Sequence, residues 1–165
     1  MMSSCVNFYG TTAGVEYTLE IQDITYVVTK TGLDPAVFFF PSTPADPYAT
    51  ISFPGYEYSV DGKRTDKFYT PTLNDSENGT KTFTFIIHKL FATENGSRYS
   101  TQLKWDLTDE DLSGGDTICE KNTYTIAFAY SEAPVDILNP VSTCANGSIQ
   151  FARLRISEMV KVSKQ

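Results

Sequence analysis

Four tyrosines, Tyr48, Tyr56, Tyr58 and Tyr69, gather around the dipeptide Asp61-Gly62. A tyrosine near a loop tip offers a large flat ring with one polar end, and it loses little freedom on binding. Such rings stack on sugars or fill protein interfaces, so the group points to binding rather than to catalysis. The competing explanation is strand propensity on a half-exposed face. A second group is acidic. Asp106, Asp109, Glu110, Asp111 and Asp116 fall within eleven residues. Close-set oxygen ligands suit calcium, which makes Asp109, Asp111 and Asp116 a candidate metal set. The EF-hand spacing is absent, however, and a solvated acidic loop is the simpler expectation. No cofactor is expected.

Catalytic constellations are thin. His88 is the only histidine, and the alternation around it puts it on the more polar face of its segment, as a surface or interface residue. The sequence has no G-x-S-x-G elbow, and Gly114-Gly115 lacks the following lysine of a phosphate loop. The expectation is a protein that is not an enzyme.

Three cysteines, Cys5, Cys119 and Cys144, form no C-x-x-C pair, which argues against a zinc site or a pure disulfide framework. Free core thiols are the first expectation. A Cys119–Cys144 bridge is the second, because these two flank one strand-like segment. Four N-x-S/T sequons begin at Asn74, Asn78, Asn95 and Asn146. They accept glycans only in a chain that takes a secretory route. Three of them are Asn-Gly, a turn dipeptide, so turn chemistry is the preferred explanation.

Composition bounds what these groups can belong to. The chain has 165 residues, 41% hydrophobic and 13% aromatic, with a net charge of -7. Aromatic content of this order excludes a disordered chain, and the length suits one domain over residues 1–165. No basic stripe invites nucleic acid, and no apolar run reaches the roughly 18 residues of a membrane helix. The start of the chain lacks the basic and apolar regions of a secretory signal. That favours cytoplasmic synthesis with assembly into a virion, or an extracellular site if a signal was removed.

The dominant period is two. Val15, Tyr17, Leu19 and Ile21 alternate with polar residues, with a bend expected at Asp23. Ala49, Ile51 and Phe53 form another strand, and Asp61-Gly62 marks a hairpin. Ala36 to Phe40 reads as a strand buried on both faces or as an anchored loop. Phe83, Phe85, Ile87 and Phe91 face Tyr99, Leu103 and Trp105 across Glu94-Asn95-Gly96. Keeping apolar opposite apolar predicts Thr93 opposite Ser97, a type I turn with a G1 bulge. Thr108 and Asp111 are expected to cap at most one short helical turn. Around Tyr124, Ile126 and Phe128, small residues on the second face suggest a further packed layer. Ala133 to Thr143 reads as a loop, and a bulge is expected near Ala152-Arg153. Met1 to Thr12 is an expected extended arm.

The sequence thus predicts an all-β fold, one β-sandwich of jelly-roll or Ig-like type, with about eight to ten antiparallel strands. In style it is similar to accessory proteins of viral or phage particles. The functional expectation is a decoration, fibre or tail-type subunit acting through protein contacts, as a homo-oligomer or within a larger assembly. A carbohydrate-binding module comes second, and a secreted ligand-binding or effector protein third.

Overall fold

Wherever β-branched and aromatic residues alternate with polar ones, the chain forms a strand. The computed structural model describes residues 12–30, 44–53, 58–60, 62–74, 76–111 and 114–164. Among them are eleven strands and no helix. These are β1 (Thr12–Val28), β2 (Pro47–Ser52), β3 (Tyr58–Val60), β4 (Lys63–Thr65), β5 (Lys67–Tyr69) and β6 (Asn78–Asn95). They continue with β7 (Arg98–Asp111), β8 (Gly114–Phe128), β9 (Val135–Leu138), β10 (Val141–Cys144) and β11 (Gly147–Lys164).

Hydrogen bonds join all eleven strands into one antiparallel sheet, and the β6–β7 hairpin folds that sheet over. Strands β6 and β7 pair only at Thr93–Ser100, Glu94–Tyr99 and Asn95–Arg98. Beyond those pairs they part. β6 runs beside β1 and β3, while β7 runs between β2 and β8. The result is a β-sandwich. Its first layer has β11, β1, β6, β3 and β4 in order, with β9 and β10 on the outer edge of β11. Its second layer runs β8, β7, β2, β5.

Inward-facing apolar residues fill the space between the layers. Val15, Leu19, Ile21, Ala49, Ile51, Leu103, Leu107, Ile126, Leu154 and Ile156 are wholly buried. Each large apolar side chain so placed contributes about 1.5–3 kcal/mol. Rings lock the layers together. Tyr17 of β1 meets Phe128 of β8 edge-on at 5.1 Å, and Phe85 of β6 meets Phe68 of β5 at 5.0 Å.

The alternation changes parity at one level across three strands. Asp23 takes a left-handed φ of 49° and Asn139 one of 53°, and Ala152 lies between them in the ladder, where its carbonyl accepts Asn139 N–H. The expected bend at Asp23 and the parity switch near Ala152 are therefore one feature. The β1–β11 register passes through it unbroken, from Ile24–Phe151 to Gln22–Arg153, because both strands turn together.

Several expectations are corrected. The hairpin closes with Asn95 opposite Arg98, so Gly96-Ser97 forms the two-residue loop. Gly96 has φ +64°, as the first position of a type II′ turn requires. The apolar-to-apolar rule fails because the two strands leave each other after three pairs, so their inward faces meet across the interior. The acidic stretch is not a helical turn: Thr108–Asp111 continues β7 and takes its backbone partners from β8 and β2. Residues 133–143 contain β9 and β10, an interrupted edge strand bent at Asn139-Pro140. Thr123, Thr125, Ala127 and Ala129 are exposed, so no further layer covers them. Ala36 to Phe40 and the expected arm up to residue 11 lie outside the described residues.

Candidate functional site

The sheet brings together two of the four tyrosines singled out by sequence. Strand β5 pairs with β2, with Thr50 opposite Tyr69. Tyr48 lies two residues along on the same outward face, and its ring centroid is 6.1 Å from that of Tyr69. Lys67, on that face too, places its ammonium 5.8 Å from the Tyr69 ring centre. Tyr69 is 55% exposed and Tyr48 half-buried. Thr70, Thr72 and Glu110 complete a shallow depression of about 230 Å³ around the two rings. The Thr72 hydroxyl donates to Glu110 Oε2 at 2.6 Å.

The platform is held from beneath. Thr70 N–H donates to Ala49 O, and Leu73 N–H to Pro47 O, each at 2.9 Å. The buried Tyr26 hydroxyl of the opposite layer donates to Pro71 O and lies 2.6 Å from Thr70 Oγ1. Burial pushes the Tyr26 phenol well above its ordinary range, and the Thr70 hydrogen bond opposes this only in part. Residues 69–73 are thus held by β2 at the side and by Tyr26 from beneath, and Tyr69 projects from this anchored segment.

Tyr58 stands on a different strand: it begins β3, which pairs with β6 in the first layer. Tyr56 lies outside the described residues.

The candidate calcium residues fall at the β7–β8 hairpin, not in a loop. Asp109 stands opposite Asp116, and Asp111 opposite Gly114. Asp109 is wholly buried, and its Oδ1 accepts Asp46 N–H at 2.7 Å. That bond secures the chain entering β2, while Asp116 is exposed. Among the described residues no three His, Cys, Asp or Glu side chains converge as metal ligands.

His88 is exposed, and in the ladder it stands opposite Ser59 of β3. Thr18 of β1 is 8% exposed; its hydroxyl donates to Glu158 Oε2 at 3.0 Å and lies 3.4 Å from His88 Nδ1. Irregularities in the β1 ladders with β6 and β11 flank this point, and Lys89 and Glu158 are left-handed there. Sequence reasoning missed this cluster because its members lie 70 and 140 positions apart. The hydroxyl sits between base and acid, which is not the order of a nucleophilic triad.

The far edges of the layers are joined covalently. Cys119 of β8 and Cys144 of β10 form a disulfide with a Cα separation of 6.0 Å. This replaces the first expectation of free thiols. Beside it, Lys30 Nζ donates to Thr117 O, Asn146 Nδ2 to Ile118 O, and Trp105 Nε1 to Ser142 Oγ.

No family model and no curated protein matches this chain. Solved structures do show a similar fold. One is described as a C2 domain, with a TM-score of 0.45 and 10% identity over 86% of this chain and 98% of that one. Another is human GIVD cytosolic phospholipase A2, with a TM-score of 0.46 and 17% identity over 92% of this chain but 18% of the enzyme. A third is a C2 domain of plant extended synaptotagmin 1, with a TM-score of 0.43, 12% identity, and coverage of 90% and 94%. This likeness is one of architecture alone.

Proposed function

We propose that this β-sandwich is a non-enzymatic binding and assembly subunit. Its contact surface is the outer face of the four-stranded layer, centred on Tyr69 and Tyr48, and its partners are other protein subunits. The observation that carries this reading is an aromatic platform on anchored backbone. Tyrosine is enriched among the few residues that dominate interface energetics, and a ring already fixed in place loses little entropy on binding. Lys67, Thr72 and Glu110 supply the polar rim such patches have. Such a contact would suit a decoration, fibre or tail-type subunit of a viral or phage particle. The Cys119–Cys144 bridge supports a working place in an oxidising setting, outside the reducing cytosol.

A carbohydrate ligand is the second reading. The hydroxyl and carboxylate of Thr72 and Glu110 beside two rings favour it, since sugars take stacking on one face and hydrogen bonds at the edge.

Sedimentation of a native extract through a density gradient separates the two. Co-migration with a large particle at fixed stoichiometry supports assembly. A free monomer or dimer that binds on a glycan array supports the second reading. Free migration with no glycan bound contradicts both.

A further inference from the structure

Turn chemistry does not account for every sequon. Asn78-Gly79 lies within β6, with Gly79 opposite Tyr26. Asn146-Gly147 does end a turn: Cys144 pairs with Gly147, so Asn146 is the second loop residue and Gly147 closes it. Asn95 is the last paired residue of its hairpin, and Gly96-Ser97 makes that turn. Packing accounts for the two strand glycines instead. A Cβ on Gly147 would meet Val27 O at 2.5 Å, and one on Gly79 would meet Leu73 Cδ2 at 2.9 Å. The backbone contact requires glycine at 147, whereas the Leu73 side chain can shift at 79, and neither contact places a demand on the preceding asparagine. Seven asparagines and 35 serines and threonines in 165 residues would produce about one or two sequons by chance, against the four present.

The disulfide adds an independent argument. Bridges of this kind form and persist in oxidising compartments, where N-glycans are also attached. The sequons then differ in what the fold does with each side chain. Asn95, Gly96 and Ser97 are all exposed, at the tip where β6 passes to β7. Asn146 is exposed as well, but its Nδ2, the atom a sugar would occupy, donates to Ile118 O at 3.1 Å, bridging the layers beside the disulfide.

We propose that Asn95 is an N-glycan acceptor and that Asn146 is not. In the transfer, Asn95 Nδ2 forms a bond to the anomeric carbon of an oligosaccharide carried on a lipid diphosphate. The bond from that carbon to the diphosphate oxygen breaks, the lipid diphosphate leaves, and the amide gives up one proton. The glycan then stands at the β6–β7 tip, away from the Tyr48–Tyr69 face, so this proposal does not rest on the binding reading.

The test is glycopeptide mapping of the protein from its native source. Treatment with peptide N-glycosidase in heavy-oxygen water converts each glycosylated asparagine to a labelled aspartate. The expected result is label at position 95 and none at 146. Expression of N95Q and S97A in that source should each remove one glycan from the intact mass, because both destroy the sequon while only one changes the asparagine. An unlabelled Asn95 in chain whose Cys119–Cys144 bridge is intact overturns the proposal, and so does label at Asn146.

Discussion

The two sides of the sandwich are finished differently. On the β8–β10 side a disulfide, the Lys30 and Asn146 side chains and the Trp105–Ser142 bond tie one layer to the other. On the β2–β5 side the layers meet through Phe68 and Phe85 and through Tyr26, and above them lie the exposed Tyr69 ring and the half-buried Tyr48 ring. A long edge strand such as β8 offers unpaired backbone to other chains, and here side chains take up its carbonyls at Thr117, Ile118 and Thr123. The closed side is built for stability. The other side is also anchored beneath, and it leaves the Tyr69 ring exposed; this is the face proposed above as the contact surface.

Breaking the closed side should cost the most. Trp105→Ala removes a buried ring and the partner of Ser142, and should lower stability by about 3–5 kcal/mol in denaturant unfolding. Replacing both cysteines with serine frees a loop of separation 25 and should cost about 2–4 kcal/mol. Reduction of the unaltered protein should reproduce that loss.

The anchor beneath the tyrosine face comes next. Tyr26→Phe deletes a hydroxyl that bonds Pro71 and Thr70, and should cost about 1–3 kcal/mol. It should also change the alkaline limb. The Tyr26 phenol is raised in the folded state by burial, so its contribution is whole below the ordinary value of 10 and declines above it, where the unfolded chain ionises first. The slope for one such group approaches about 1.4 kcal/mol per pH unit. The variant should lose that component of the pH dependence. An unchanged alkaline limb would show that Tyr26 is not sealed from water.

The smallest effect belongs to the outer surface of the first layer. The Arg155 hydrogen bond holds the Asp136 carboxyl below its ordinary range, with the Arg155 and Arg153 charges assisting. A carboxyl lowered in this way stabilises the fold above its ordinary value, and the effect fades as pH falls through the folded value. Asp136→Asn should slightly flatten the acid limb, an effect that salt screens. A large loss of stability at neutral pH would show a buried role.

Much of the framework was legible because alternation reports burial directly. The inward residues of β1 and β2 and the Asp23 bend follow from it. So does the Asp61-Gly62 hairpin, closed by Val60 opposite Lys63 with Gly62 at φ +78°. What escaped depended on partners distant in sequence. The β6–β7 register could not be read because the strands separate into different layers. Strands β9 and β10 were hidden by Asn139-Pro140, a loop signal that here only bends an edge. The Cys119–Cys144 pairing is legible in the sequence only as the alternative to free thiols, and the Thr18–His88–Glu158 cluster needs the layer arrangement. The tyrosine group was half legible: Tyr48 and Tyr69 meet because β5 crosses to β2, whereas β3, with Tyr58, stays with β6.

The central claim is that Tyr48 and Tyr69 serve contact rather than folding. Its most direct test compares the unaltered protein with Tyr48→Ala/Tyr69→Ala in a density gradient of native extract, beside thermal unfolding of both. The account predicts that the unaltered chain travels with a large particle. The variant should run free, with association weakened about 30-fold or more, as loss of a contact worth about 2 kcal/mol requires. Its melting temperature should fall by only a few degrees. A parallel collapse of melting temperature, or unchanged association, would contradict the account.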